Sequence, residues 1–218
     1  MVAERPYPDP PWETSGFALG VPAAVPSASV ELPSSLEPVA FGGRTLGQLL
    51  YVEYRPPSPL VYDELVWMPS LVRPRGAARG RSAFVAVMYV STEASLRGGR
   101  ELWRLPKSLA TFQREGDRVR VRAEDGTRLE LRVTPFGPGF DAPLGASTLQ
   151  PDGDRLVRFR GRGSGRGRVA RVAVERFETT HPPWASLEAA RLAPLGVALS
   201  PFRSTMLAPA PAGRAAQA

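Results

Sequence analysis

The chain has 218 residues, 43% of them hydrophobic, with a formal net charge of +7 and no cysteine. That length suits one large domain or at most two, with enough chain to bury a core. Without cysteine there are no disulfides, thiolate metal sites or cysteine nucleophiles, and the single histidine, His181, cannot build a histidine metal cluster or a triad; no metal site is expected.

No apolar run approaches the roughly 18 residues of a membrane span. The Pro-rich, acidic start MVAERPYPDPPWE does not read as a signal peptide, so a cytoplasmic location is expected. The arginines are scattered along strand-like runs. That pattern reads as a solvated face rather than a nucleic-acid patch, and nucleic acid is not an expected partner.

Residues 1–38 carry Pro6, Pro8, Pro10, Pro11, Pro22, Pro26, Pro33 and Pro38. They predict an extended N-terminal arm with a short edge strand over 17–21. Residues 47–55, GQLLYVEYR, predict a strand with Leu49, Tyr51 and Glu53 on one face and Leu50, Val52 and Tyr54 on the other. PPSP turns the chain, and 60–68, LVYDELVWM, predict a second strand with Asp63 and Glu64 at its middle. Residues 73–81 read as a Gly/Arg loop, and 83–91, AFVAVMYVS, as a central apolar strand. Thr92 is a candidate N-cap for a short helix through Leu96, stopped by Gly98-Gly99.

Residues 117–135 alternate Val and Leu with Arg and Glu about an EDGT turn, which predicts a hairpin. Residues 155–178 predict another hairpin, with the Gly-rich run 161–167 as its loop. That run lacks the Gly-Lys-Ser/Thr ending of a phosphate-binding loop. Residues 185–192 give a turn or two of helix, and 210–218, APAGRAAQA with its preceding Ala-Pro pairs, read as a disordered tail. The predicted fold is mainly β and antiparallel, a closed or nearly closed barrel over 39–209 with few short helices.

The stretch GGRELWRLPKSLATFQ holds the one feature that composition singles out. Of 28 Lys and Arg residues, Lys107 is the only lysine. Arginine keeps its proton at any useful pH, whereas a buried lysine can lose it and act as an amine nucleophile. Trp103, Leu105, Pro106 and Phe112 give Lys107 an apolar setting. Glu53 and Glu64 lie in consecutive apolar strands, where a carboxylate is costly unless partnered. In a barrel, such positions can converge on one cavity. A lysine amine there adds to a ketone, loses water and leaves a protonated imine, an electron sink for decarboxylation or retro-aldol cleavage.

Gly99-Arg100-Glu101-Leu102, three residues, then Pro106-Lys107 resembles the GRE–PK signature of the acetoacetate decarboxylase family, in which the lysine after proline forms the Schiff base. Tyr62-Asp63-Glu64 resembles the family's Tyr-x-Glu motif, and Glu53 in YVEYR its strand glutamate. The resemblance implies a cone-like, mostly antiparallel β-barrel, a homo-oligomer, and decarboxylation of a small β-keto acid without a cofactor. It implies Lys107 as nucleophile, Glu64 as proton shuttle and Glu53 as a pocket carboxylate, with Arg100 and Glu101 as a pair near the lysine that meets the substrate. Two positions depart from the family: Ser108 stands where the decarboxylase has a second lysine, and WETSGF at 12–17 has no arginine. These departures keep aldolase–dehydratase chemistry open, and a small-ligand-binding barrel without catalysis is the third reading.

Overall fold

The computed structural model describes residues 5–77 and 80–214. Its first element is a long strand, β1 (Trp12–Pro26), rather than the short edge strand expected at 17–21. Phe17, Leu19, Val21, Ala23 and Val25 recur at every second position and are all buried. That period-two burial outweighs the proline content.

Six shorter or comparable strands follow: β2 (Leu36–Pro38), β3 (Ala40–Phe41), β4 (Arg44–Arg55), β5 (Tyr62–Met68), β6 (Ser70–Pro74) and β7 (Ser82–Phe84). The apolar stretch expected as one strand over 83–91 breaks after β7, and β8 (Val87–Val90) joins a different neighbour. Then come α1 (Glu93–Trp103), β9 (Lys107–Glu115), β10 (Arg118–Ala123), β11 (Arg128–Asp152) and β12 (Arg155–Glu178). The chain closes with α2 (Ala185–Glu188), β13 (Arg191–Leu192), β14 (Leu195–Met206) and β15 (Ala210–Arg214).

The fold is mainly β, and the strands form a single sheet. β1 lies between β14 and β4, and pairing continues through β5, β8, β9, β10 and β11 to β12. β12 also pairs with β14, so the ladder returns to where it began. One face of this circuit meets in a single core, with Leu19, Tyr51, Trp67, Tyr89, Val121 and Leu129 all buried together. The segment around α2 seals that core: Trp184 donates to the Tyr89 hydroxyl at 2.9 Å, and Trp67 donates to Ser186 at 2.9 Å.

The Gly-rich run 161–167 is not a hairpin loop. It is the middle of β12, paired with β11 on one side and β14 on the other. Glycine falls at every second position, the period of a strand face. At Gly163 a Cβ would lie 2.1 Å from the carbonyl oxygen of Arg203, so only glycine lets β14 approach there. The tail expected from 210 is also corrected, because 210–214 pair with β12; residues 215–218 lie outside the described residues. Among the described residues no helix is long and apolar enough to cross a membrane.

Candidate functional site

Lys107 is positioned by a β8–α1–β9 crossover. β8 and β9 run parallel with Met88 opposite Lys107, and a parallel pair needs a crossover, here α1. Thr92 caps α1 as expected, accepting from the Ser95 amide at 3.4 Å. The helix does not stop at Gly98-Gly99, however; it runs on to Trp103. Two glycines inside a helix cost about 1 kcal/mol each. Packing explains them. A Cβ on Gly98 would meet Trp12 and Tyr7, and one on Gly99 would lie 2.3 Å from Lys107 Cε. The helix ends at Arg104 in a left-handed conformation, φ 56°, with Pro106 just beyond. β9 then begins on Lys107, whose side chain runs beneath the helix.

The amine is enclosed, with Lys107 only 2% exposed. Nζ donates to Glu64 Oε2 at 3.1 Å and to Ser95 Oγ at 2.9 Å, and lies 5.1 Å from the centre of the Tyr62 ring. Glu64 is also buried. Tyr54 donates to its Oε1 and Tyr62 to its Oε2, each at 3.3 Å. Burial pushes the Lys107 pKa below its ordinary value, and the Glu64 carboxylate opposes that shift. Burial, then the charge of Glu64, pushes the Tyr54 and Tyr62 hydroxyls well up, so both stay protonated donors.

Lys107, Glu64, Tyr54 and Tyr62 open onto a cavity of about 750 Å³ on the sheet face opposite the main core. Its walls are mostly apolar and come from β1, β4, β5, β8, β14, the end of α1 and the long β11–β12 arm. Such a cavity can hold an uncharged amine ready to add to a carbonyl, with a carboxylate in reach to take or give a proton. Among the described residues no cluster of His, Cys, Asp or Glu is placed to hold a metal ion.

The model of the acetoacetate decarboxylase family matches residues 5–193. This chain belongs to that family. No curated sequence matches it closely enough to count as a relative. Among solved structures, the acetoacetate decarboxylase of Legionella pneumophila superposes with a TM-score of 0.70 at 17% identity, covering 98% of this chain and 93% of that one. An acetoacetate decarboxylase-like enzyme from Sphingomonas wittichii gives 0.63 at 17% identity, with coverage of 98% and 96%. The enduracididine biosynthesis enzyme MppR, in complex with the condensation product of pyruvate and imidazole 4-carboxaldehyde, gives 0.62 at 15% identity, with coverage of 94% and 90%. At these identities the likeness is one of fold.

Within this acetoacetate decarboxylase-family fold, the residues singled out by sequence separate into two groups. Lys107 and Glu64 meet. Glu53 does not join them, because it pairs with Asp63 across the β4–β5 ladder and so shares the face opposite Glu64. There Glu53 accepts from Tyr51 at 3.0 Å, Arg55 at 3.0 Å and Arg114 at 2.6 Å. Arg100 and Glu101 are exposed and outside the cavity wall. Arg100 donates to the Lys107 backbone carbonyl at 2.8 Å, and Glu101 bonds Tyr7 and Arg97. The pair fastens α1 to β9 and to the N-terminal arm.

Ser108, the first departure from the family, is exposed while its neighbour Lys107 is buried. Strand alternation turns position 108 away from the amine, so burial is what depresses the lysine. Sequence reading missed Ser95 and gave Tyr54 no role. Ser95, Gly99 and Trp103 recur every four residues, a helix-face signal hidden by stopping the helix at the glycines.

Proposed function

We propose that this protein is a Schiff-base lyase that decarboxylates a β-keto acid, with Lys107 as nucleophile and Glu64 as proton carrier. The observation that carries the reading is the Lys107 amine, 2% exposed and 3.1 Å from Glu64, in an apolar cavity. The neutral amine adds to the keto carbon, and the keto oxygen leaves as water with one proton from the amine and one delivered through Glu64, giving a protonated imine. The bond to the carboxylate then breaks. Its electron pair moves to the imine nitrogen, CO₂ departs, and the enamine carbon takes a proton. Hydrolysis returns the ketone and the free amine. Tyr54 and Tyr62 hold Glu64 in place through both transfers. The imine is itself the electron sink, so the reading needs no cofactor.

The polarity of the cavity supports decarboxylation. Among the described residues, the cations in its wall besides Lys107 are Arg81 and Arg162, and both are exposed. A substrate carboxylate beside the imine therefore loses water and gains no buried arginine among them. CO₂ leaves uncharged, so the reaction removes the group that this setting penalises.

Aldol cleavage or condensation is the second reading, favoured by the room that about 750 Å³ leaves for a second carbonyl component. A non-catalytic binding barrel is the third. The returning ladder supports a cone-like barrel as the shape, and family membership supports a homo-oligomer acting on a small keto acid in the cytoplasm.

The test is reductive trapping. Protein incubated with a keto acid and borohydride should gain one adduct by intact mass, and Lys107→Arg should gain none. CO₂ release separates decarboxylation from aldol chemistry, which yields an aldehyde on cleavage or consumes one on condensation. Full activity in Lys107→Arg would sink the reading.

A further inference from the structure

The cavity is large for a four-carbon keto acid. Acetoacetate has seven non-hydrogen atoms. At about 30 Å³ each, the share of one water in the liquid, they fill about 210 Å³. The cavity offers about 750 Å³, a volume in the range that drug-sized ligands occupy.

Its wall is also specialised. The chain has 4 methionines. Met68, Met88 and Met206, all but the first residue, line this cavity. Methionine is unbranched and polarizable, and it adapts to apolar ligands of varied shape. Their gathering here parallels that of the lone lysine. Phe140, Phe159 and Phe202 also line the cavity, with Trp103 at the end of α1. Lys107, Glu64, Tyr54 and Tyr62 form one hydrogen-bonded polar cluster in this wall, and Arg81 and Arg162, which also line it, are exposed. Water filling such a wall gains few hydrogen bonds, and an apolar ligand displaces it favourably.

We propose that the substrate carries an extended apolar body, an alkyl chain or an aryl group, with its carbonyl at Lys107 and its tail along the methionine wall. The inference rests on the reading of Lys107 as the imine-forming group, but it can fail separately.

Binding without the covalent step isolates it. Lys107→Met cannot form an imine, and its binding of methyl ketones with one-, three- and seven-carbon tails can be measured by calorimetry. Burying one methylene tightens binding by up to about fourfold. The seven-carbon ketone should therefore bind at least about a hundredfold tighter than acetone. Ala142→Phe, which places a ring in the cavity from the β11 arm, should flatten the series in the wild-type background. That arm keeps the test sound if Lys107→Met fails to fold. Equal affinity for all three ketones, or tightest binding of acetone, overturns the inference. Length-dependent binding with no borohydride adduct overturns the lyase reading and leaves this one standing.

Discussion

Gly99 lacks a side chain at the point where Lys107 passes: a Cβ there would lie 2.3 Å from Cε and 2.4 Å from Cδ of the lysine. The glycine that breaks no helix is the seat of the amine. Gly99→Ala should gain about 1 kcal/mol of helix propensity and lose about 1–3 kcal/mol to overpacking, a net loss of at most about 2 kcal/mol that leaves the chain folded. The amine, displaced from Glu64, should form imine about a hundredfold more slowly. Gly98→Ala presses on Trp12 and Tyr7 instead, and should lower the melting temperature without slowing trapping in the folded protein. Equal trapping rates in Gly99→Ala and wild type would refute this seat.

The pH dependence has a definite sign. Burial lowers the Lys107 pKa below 10.5, and Glu64 pulls it back up. Removing the carboxylate with Glu64→Gln should lower it further. The acid limb of imine formation, followed by trapping rate against pH, should then move to lower pH, while turnover falls for lack of a proton carrier. A shift to higher pH would contradict the geometry. Stability follows the same group. Between the native and unfolded pKa values the unfolded chain binds the extra proton, so this contribution to stability rises with pH and is lost as pH falls.

Glu53 should behave as a structural residue. It is buried and joined to Arg55 and Arg114 by ion pairs of 3.0 and 2.6 Å. Glu53→Gln should cost about 1–3 kcal/mol of stability, read by urea denaturation, because charge-assisted bonds are weakened and an arginine is left poorly partnered. Imine trapping should be unchanged. A loss of trapping without a loss of stability would place Glu53 in the site after all.

The two glutamates show how far the sequence could be read. Their strands were legible from alternation, and so was the face shared by Tyr51 and Glu53. What was not legible is the register: Glu53 faces Asp63 and Glu64 faces Val52. That offset decides which carboxylate meets Lys107, and it is set by the turn and by pairing between strands. The Gly-rich stretches were misread for a related reason. Glycine signals a break when only local propensity is counted. In α1 and β12 it marks close approach by a side chain or backbone distant in sequence, visible only once the chain is packed.

The arm formed by β11 and β12 offers a last contrast, since it covers the cavity and its glycines differ in surroundings. At Gly163 a Cβ would strike the Arg203 carbonyl oxygen at 2.1 Å, whereas at Gly145 nothing lies within 4 Å. Gly163→Ala must push β14 away from β12 or bend the arm, because backbone cannot swing aside as a side chain can. It should cost about 3 kcal/mol or more and lower the melting temperature by several degrees. Gly145→Ala adds a methyl in open space and restricts only the unfolded chain, so it should gain about 0.4–1 kcal/mol. Opposite signs in the two thermal melts are the expected result. The same sign in both would mean that β14 does not approach β12 as closely as the pairing of Gly163 with Ser204 requires.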